Sequence, residues 1–282
     1  MLIKTLPVGQ LETNCYVVTD EDSLDCAVID PGDESGTILD YLEDNKLHCR
    51  AVLLTHAHFD HVGAANALLE ATGARLYMCE KELELVKGGA SGRFTVPEDV
   101  KYYRDGDTVE VGGLRFEVME TPGHTPGHIC LYDREECVMF LGDHVLFDIT
   151  PNITTWPDFE DPLGKYVHSL MDISIFNVRL PLPAHRSVGS VTMSERIGAI
   201  IEHHGARIRE MLGILEREPG LTAYELSGRM TWRVRGKSPS WADFPLQQKW
   251  FAVGETAAHL EYLTVRGRAW RELSGGFWRY YI

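Results

Sequence analysis

The segment His56-Ala57-His58-Phe59-Asp60-His61 sets three imidazoles and a carboxylate within six residues, directly after the apolar run Arg50-Ala51-Val52-Leu53-Leu54-Thr55. Buried groups of these types must be neutral, paired or ligated, so packing alone explains the cluster poorly. His56 and His58, two apart, point the same way on an extended backbone, whereas Asp60 and His61, adjacent at the start of the next helix, address a different point. Two metal positions are therefore easier to satisfy than one. Further ligand-type residues follow strand-like runs in turns that contain glycine or proline, where a rigid scaffold presents functional groups. They are His124 in Thr121-Pro122-Gly123-His124, Asp143 in Leu141-Gly142-Asp143 and His185 in Leu182-Pro183-Ala184-His185. Nitrogen and carboxylate donors without thiolate suit Zn²⁺ and are also accepted by iron or manganese. A metal pair of this kind binds a bridging water and lowers its pKa from about 15.7 toward about 7, which makes hydroxide available at neutral pH.

The elements that must position these residues alternate between strand and helix. Residues 15–18 and 26–29 read as short strands, the second closed by Asp30-Pro31-Gly32, and 36–43 has helical period. Residues 50–55 form a continuous apolar run typical of a strand buried on both faces, followed by a helix over 62–72 and a strand over 75–79. A second set of strands covers 108–111, 114–120, 129–133 and 137–141, so two successive rounds predict a layered α/β domain. Beyond it, Thr192 to Glu195 and Thr222 to Glu225 fit capping boxes, and apolar residues at 197, 200, 201, 208, 211, 212 and 215 mark one face of a long helix. A helix over 249–264 and two strands, 269–273 and 277–282, joined by Ser274-Gly275-Gly276, complete the order of a winged-helix module.

Charge divides at the same place. The chain has 282 residues and a net charge of −15, made up of −19 over residues 1–204 and +4 over 205–282. The expected domains are thus 1–204, carrying the chemistry, and 205–282. A hydrophobic fraction of 44% excludes a disordered or collagen-like chain. The six cysteines, at 15, 26, 49, 79, 130 and 137, form no Cys-x-x-Cys pair, which argues against a disulfide scaffold and for a reducing, cytoplasmic location with the thiols buried as small apolar groups. No apolar run approaches the roughly 20 residues of a membrane span, and the first residues lack a signal-peptide pattern. The acidic total argues against general affinity for nucleic acid or anionic membrane.

His56-x-His58-x-Asp60-His61, His124, Asp143 and His185, in that order, resemble the metallo-β-lactamase superfamily over about residues 1–190. The resemblance implies an αββα sandwich with the site at one sheet edge. It also implies that His56, His58 and His124 hold one metal, that Asp60, His61 and His185 hold a second, and that Asp143 bridges them. Asp30 matches the recurrent Asp-Pro-Gly turn that supports the site from behind, and Asp60 has a second role in orienting the water or passing a proton. His128 reads as a hydrogen-bonded structural residue, His144 as buried or supporting, and His203 and His204 as capping or solvent-facing.

The last ligand stands in Pro183-Ala184-His185-Arg186, where many relatives carry Gly-His-Gly. Arg186 offers a planar fork for a substrate carboxylate or phosphate, with pairing to a local acid as the alternative. Residues 148–156 form a candidate wall or lid, with Asn152, Trp156 and Tyr166 as pocket candidates, and the glycines of 88–93 permit movement without forming a P-loop. The C-terminal module resembles the winged-helix extension of the branch that includes metallo-β-lactamase-like endoribonucleases, alongside a glyoxalase II-like branch, which raises RNA as a partner. The segment 249–265, however, holds Lys249 against Glu255 and Glu261, a poor phosphate-binding face. Arg229, Arg233, Arg235 and Lys237 lie instead near Trp232 and Trp241, an arrangement suited to a nucleic-acid strand, to packing or to a homodimer contact. The expected function is hydrolysis of a small ester, thioester or lactone with two zinc ions per chain. Phosphodiester or RNA cleavage at the same site is the first alternative, and DNA binding through the winged helix the second. A true β-lactamase fits less well without an export signal, and an oxygen-reducing di-iron protein less well without extra carboxylate ligands and a flavin domain.

Overall fold

The computed structural model describes residues 1–232 and 240–282. The chain forms two compact units, Met1–Pro151 with Ser169–Arg196, and Asn152–His168 with Ile197–Ile282. The expected boundary at 204 falls inside a helix, and residues 152–168 belong to the second unit.

The first unit holds two sheets. One is built from β1 (Leu2–Val8), β2 (Thr13–Thr19), β3 (Asp25–Ile29), β4 (His48–Leu53), β5 (Arg75–Cys79) and β6 (Lys101–Tyr103), in that spatial order. Its first three strands are antiparallel and the rest parallel. The other comprises β7 (Thr108–Val111), β8 (Leu114–Glu120), β9 (Ile129–Asp133), β10 (Val138–Gly142) and β11 (Leu180–Pro183), in the order β11-β10-β9-β8-β7. The helix expected over 62–72 is two pieces, α2 (Phe59–Val62) and α3 (Ala65–Thr72), preceded by α1 (Ser35–Asp44) and followed by the short α4 (Leu83–Lys87). Side chains alternate across the first sheet, because a strand's period is two. Cys15, Val17, Cys26, Val28 and Val52 face a helix layer formed by α1 and α3, through Ile38, Leu42 and Leu68. Tyr16, Val18, Ala27, Ile29, Ala51 and Leu53 face the second sheet through Phe116, Val118, Leu131 and Phe140. β2 is therefore buried along its whole length and β3 from its second residue on, whereas β1 lies at an edge and is mostly exposed. That exposure is why its mixed sequence gave no strand pattern. A further helix, α5 (Pro162–Ile173), begins in the second unit and ends in the first.

The second unit packs α6 (Met193–Arg217) from Ile197 on, α7 (Ala223–Ser227) and α8 (Leu246–Val265) with the hairpin β12 (Trp270–Ser274) and β13 (Phe277–Tyr281). Its core includes Met211, Leu215, Leu226, Met230, Leu260 and Tyr280. Thr222 and Glu225 form the reciprocal capping box, and Thr192 with Glu195 forms another. Gly275 and Gly276, both with positive φ, make the two-residue turn of the hairpin.

His204 corrects the expectation of a capping or solvent-facing residue, being only 2% exposed. Position 204 falls on the same helical stripe as 197, 200 and 211, which the expectation overlooked. Because His259 Nδ1 donates to the Glu255 carbonyl at 2.7 Å, its Nε2 accepts from His204 Nδ1 at 3.1 Å. Burial, reinforced by His259, holds His204 down to about 3, and burial also holds His259 below its usual value. Glu255, Arg207, His203 and the Tyr166 ring complete the surroundings. Between the unfolded pKa and that of the folded state only the unfolded chain takes up the proton, so stability falls as pH falls. Lowering the pH from 7 to 5 should remove roughly 2 kcal/mol through His204 alone. In denaturant titrations at both pH values, His204→Asn, whose amide nitrogen takes the Nδ1 position and still donates to His259 without titrating, should show a smaller loss than wild type. An equal loss would contradict this assignment.

Candidate metal centre

The centre begins where β3 and β4 end side by side. Asp30, directly after β3, accepts the Thr55 N–H on Oδ1 at 2.8 Å and the Thr55 hydroxyl on Oδ2 at 2.6 Å. That hydroxyl has spent its proton on Asp30, so at 3.1 Å it accepts from His56 Nδ1 and leaves His56 Nε2 with its lone pair. His61 Nδ1 donates to Asp30 Oδ2 at 3.0 Å, and His185 Nδ1 donates to the Leu11 carbonyl at 3.3 Å. Each of these three rings thereby commits Nδ1 as a donor and turns Nε2 inward, the orientation a ligand requires.

Two triads result, each with its donor atoms within 4.8 Å of one another: His56, His58 and His124, and Asp60, His61 and His185. In the first, His58 Nδ1 lies 3.0 Å from His56 Nε2 and 3.1 Å from His124 Nε2. In the second, Asp60 Oδ2 lies 3.3 Å from His185 Nε2 and 3.5 Å from His61 Nε2. The Asp143 carboxylate stands between them, 3.5 Å from His124, 3.4 Å from His185 and 3.8 Å from His61. Asp30, His56 and His61 meet the same spacing, but the oxygens of Asp30 already accept three hydrogen bonds, which makes it a support. His61 Nε2 and Asp143 Oδ1 are buried and have no hydrogen-bond partner among the described residues. Buried polar atoms left this way are costly unless something else binds them, and the donor set fits a pair of cations.

The electrostatics of the two halves differ. Burial, reinforced by neighbouring rings, holds His56 well below its usual range and His58 at about 3, so these two rings offer neutral nitrogen. Burial also disfavours charge on His61, yet Asp30, Asp143 and Asp60 together raise it to about 9. Burial likewise opposes ionisation of Asp60, and the hydrogen bond from His185 with the charge of His61 overcomes it, so Asp60 stays ionised. The second half is anionic and attracts positive charge.

The sequence reading missed one supporting residue, Glu82. It is 1% exposed, and its carboxylate accepts the Ala57 N–H at 2.8 Å and the Gly127 N–H at 2.7 Å, joining the loop of His56 and His58 to that of His124. Burial raises its carboxyl, against the Thr125 hydroxyl and these two amides. The surrounding Glu80-Lys81-Glu82-Leu83-Glu84 reads as a solvated face, and no local signal separates Glu82 from its neighbours. His128 accepts the Asp143 N–H on Nε2 at 3.1 Å, with Thr121 at 2.8 Å from Nδ1, which accounts for both ring nitrogens. Below the centre, Gly32 lies against the Asp60 carbonyl and Gly63 against the Gly32 carbonyl, so closely that a Cβ at either would collide with backbone.

The family model for the metallo-beta-lactamase superfamily matches residues 8–185. The chain belongs to this superfamily. A Haemophilus influenzae relative named hydroxyacylglutathione hydrolase GloC is 34% identical over 185 residues, covering 62% of this chain and 86% of its own. A metallo-beta-lactamase family protein from Thermus thermophilus superposes with a TM-score of 0.76 at 26% identity, covering 99% of this chain and 97% of that one. A third protein, solved in a di-iron-bound form, gives a TM-score of 0.56 at 31% identity over 65% of this chain and 92% of its own. This superfamily member is a metal-dependent hydrolase with a mixed α/β sandwich and a smaller helical domain carrying a two-stranded sheet. Among its described residues no helix is long and apolar enough to cross a membrane.

The remaining sequence candidates lie as follows. Arg186 is exposed, with φ +60°, and its guanidinium has no hydrogen bond or ion pair among the described residues. The expected alternative, pairing with a local acid, is thus not seen. Asn152, Trp156 and Tyr166 belong to the second unit, where the Asn152 amide donates to the Phe251 carbonyl at 3.3 Å and Tyr166 is wholly buried against His204. Arg229 pairs with Glu218 at 2.5 Å. Trp232 donates to the Ser227 carbonyl and lies under Arg207, and Trp241 stacks on Phe244. Arg233, Arg235 and Lys237 fall outside the described residues.

Proposed function

We propose that the protein hydrolyses a small acyl thioester that carries an anionic group, using two zinc ions for which iron can substitute. The observation that carries this reading is the pair of triads around Asp143, joined to 86% coverage of a relative named for hydrolysis of an acylated glutathione. His56, His58 and His124 would hold one ion, and Asp60, His61 and His185 the other, with Asp143 between them. When bound, such ions supply Lewis acidity and a water acidified to near-neutral pKa. The chain's own groups do the positioning. Asp30 and Thr55 fix the orientation of His56 and His61, and Asp60, ionised and accepting the Thr13 hydroxyl at 3.3 Å, offers an acceptor that orients the attacking water.

Arg186 extends the reading to the substrate. Its turn is pinned from behind, because the Asn14 amide donates to the Pro183 and Arg186 carbonyls at 2.9 and 2.8 Å and the Tyr16 hydroxyl to Pro183 at 2.6 Å. A non-glycine residue is thus held in a left-handed conformation beside a ligand, with an unpaired guanidinium in an acid-rich domain. The test is a panel of acyl thioesters, lactones, a phosphodiester and a short RNA, with His58→Ala and chelator-treated protein as controls. Thioesters should be turned over fastest, and both controls should abolish turnover. Arg186→Gly should raise KM for an anionic thioester by roughly tenfold, about 1.4 kcal/mol, relative to a neutral one. A faster phosphodiester or RNA reaction would overturn the reading.

A further inference from the structure

Away from the metal centre, the first unit places two thiols in register. Cys26 on β3 and Cys49 on β4 are directly opposed in the parallel ladder, where neighbouring strands stand about 4.8 Å apart. Opposed residues of parallel strands point to the same face, and both sulfurs lie in the helix-side core. Disulfides span Cα separations of about 4.4–6.8 Å, so this register is within reach of one. Among the described residues no other strand cysteine faces a cysteine: Cys15 is opposed by Leu6, Cys79 by Tyr103 and Cys130 by Met119. The ladder slips immediately after the pair, where Ala27 takes Ala51 as partner and Arg50 is left over as a bulge. A surface cleft of about 480 Å³ is lined in part by Leu47, His48, Arg50, Thr72 and Cys49 itself, which is 7% exposed.

We propose that Cys26 and Cys49 are a covalent redox site, closing reversibly to a disulfide when a peroxide reaches the cleft. Cys49 is the attacking thiol, since it borders the cleft while Cys26 is wholly buried. Cys26 beside it holds Cys49 below its usual range, and Cys26 is pushed up, first by Cys49 and then by burial. The Cys49 thiolate attacks the O–O bond, forming a sulfenic acid and releasing one hydroxide, which takes the thiol's proton and leaves as water. Cys26 sulfur then displaces the hydroxyl from Cys49, the S–S bond forms, and a second water leaves with the Cys26 proton. Peroxide accepts the two electrons. β3 continues to Asp30 and β4 to Thr55 and His56, so the bond would tie together, across the bulge, the two strands that end at the metal centre.

Peroxide treatment of the full-length protein as purified, followed by alkylation and peptide mapping, tests this. Wild type should lose two hydrogens and two alkylation sites, yield a peptide linking residues 26 and 49, and recover both on treatment with dithiothreitol. Cys26→Ser should yield no link and should trap Cys49 as a sulfenic acid captured by dimedone, whereas Cys49→Ser should leave Cys26 unlabelled. A link through any other cysteine, over-oxidation of Cys49 with Cys26 still free, or unreactive thiols at both positions would overturn the proposal. The wild-type map decides even where a serine variant fails to fold.

Discussion

Replacing Asp143 by alanine should lower kcat/KM by at least roughly 10³-fold, about 4 kcal/mol of transition-state stabilisation, the scale expected when a metal site loses its central ligand. The carboxylate lies within 3.8 Å of nitrogen donors from both triads, so its loss should affect both ions. Elemental analysis of the variant should show fewer metals per chain than wild type, and Asp143→Asn, which keeps the shape and loses the charge, should fall on the same side. A variant that keeps both its metal content and its rate would remove Asp143 from the centre. The fold should survive either change, because the backbone N–H of residue 143 remains available to His128 and keeps the turn after β10 in place.

The second large effect belongs to a residue that touches no ligand atom. Glu82→Ala should weaken metal retention and activity by roughly 10- to 100-fold, the range for groups that orient ligands from behind. It leaves the Ala57 and Gly127 amides buried without their acceptor, at about 1–3 kcal/mol each. Glu82→Gln should be nearly as harmful, because one amide oxygen cannot replace two and the NH₂ group would face an N–H. Chelator competition separates this role from a general loss of stability, since excess metal should restore part of the rate without restoring the unfolding midpoint. Unchanged metal affinity in Glu82→Ala would show that the two loops are held by other contacts.

How much of this was legible in the residues depends on the range of each interaction. His56 to His61 are local, and a strand end followed by a helix start sorts them into two directions, so their division between two triads follows from spacing. The buried strands over 26–29 and 50–55 were legible because both of their faces are covered, which leaves an unbroken apolar run. β1 was not, because an edge strand has one face open to water and its pattern is diluted. Glu82 and His204 failed for opposite reasons. Glu82 gains its role from amides 25 and 45 residues away, contacts that no local pattern carries. His204 did carry a signal, its place on the apolar stripe of α6, but a histidine on a long helix was read by its polarity and not by its position.

The backbone contacts of Gly32 and Gly63 bear on how such a protein can change. The floor of the centre is main chain on main chain, so no side chain there can be exchanged to tune the chemistry without displacing Asp60. Variation in what the enzyme accepts must then enter from the rim, at positions such as Arg186 whose side chains are exposed and uncommitted. A directed-evolution library aimed at a new substrate would do well to hold residues 30–32 and 60–63 fixed and spend its diversity there.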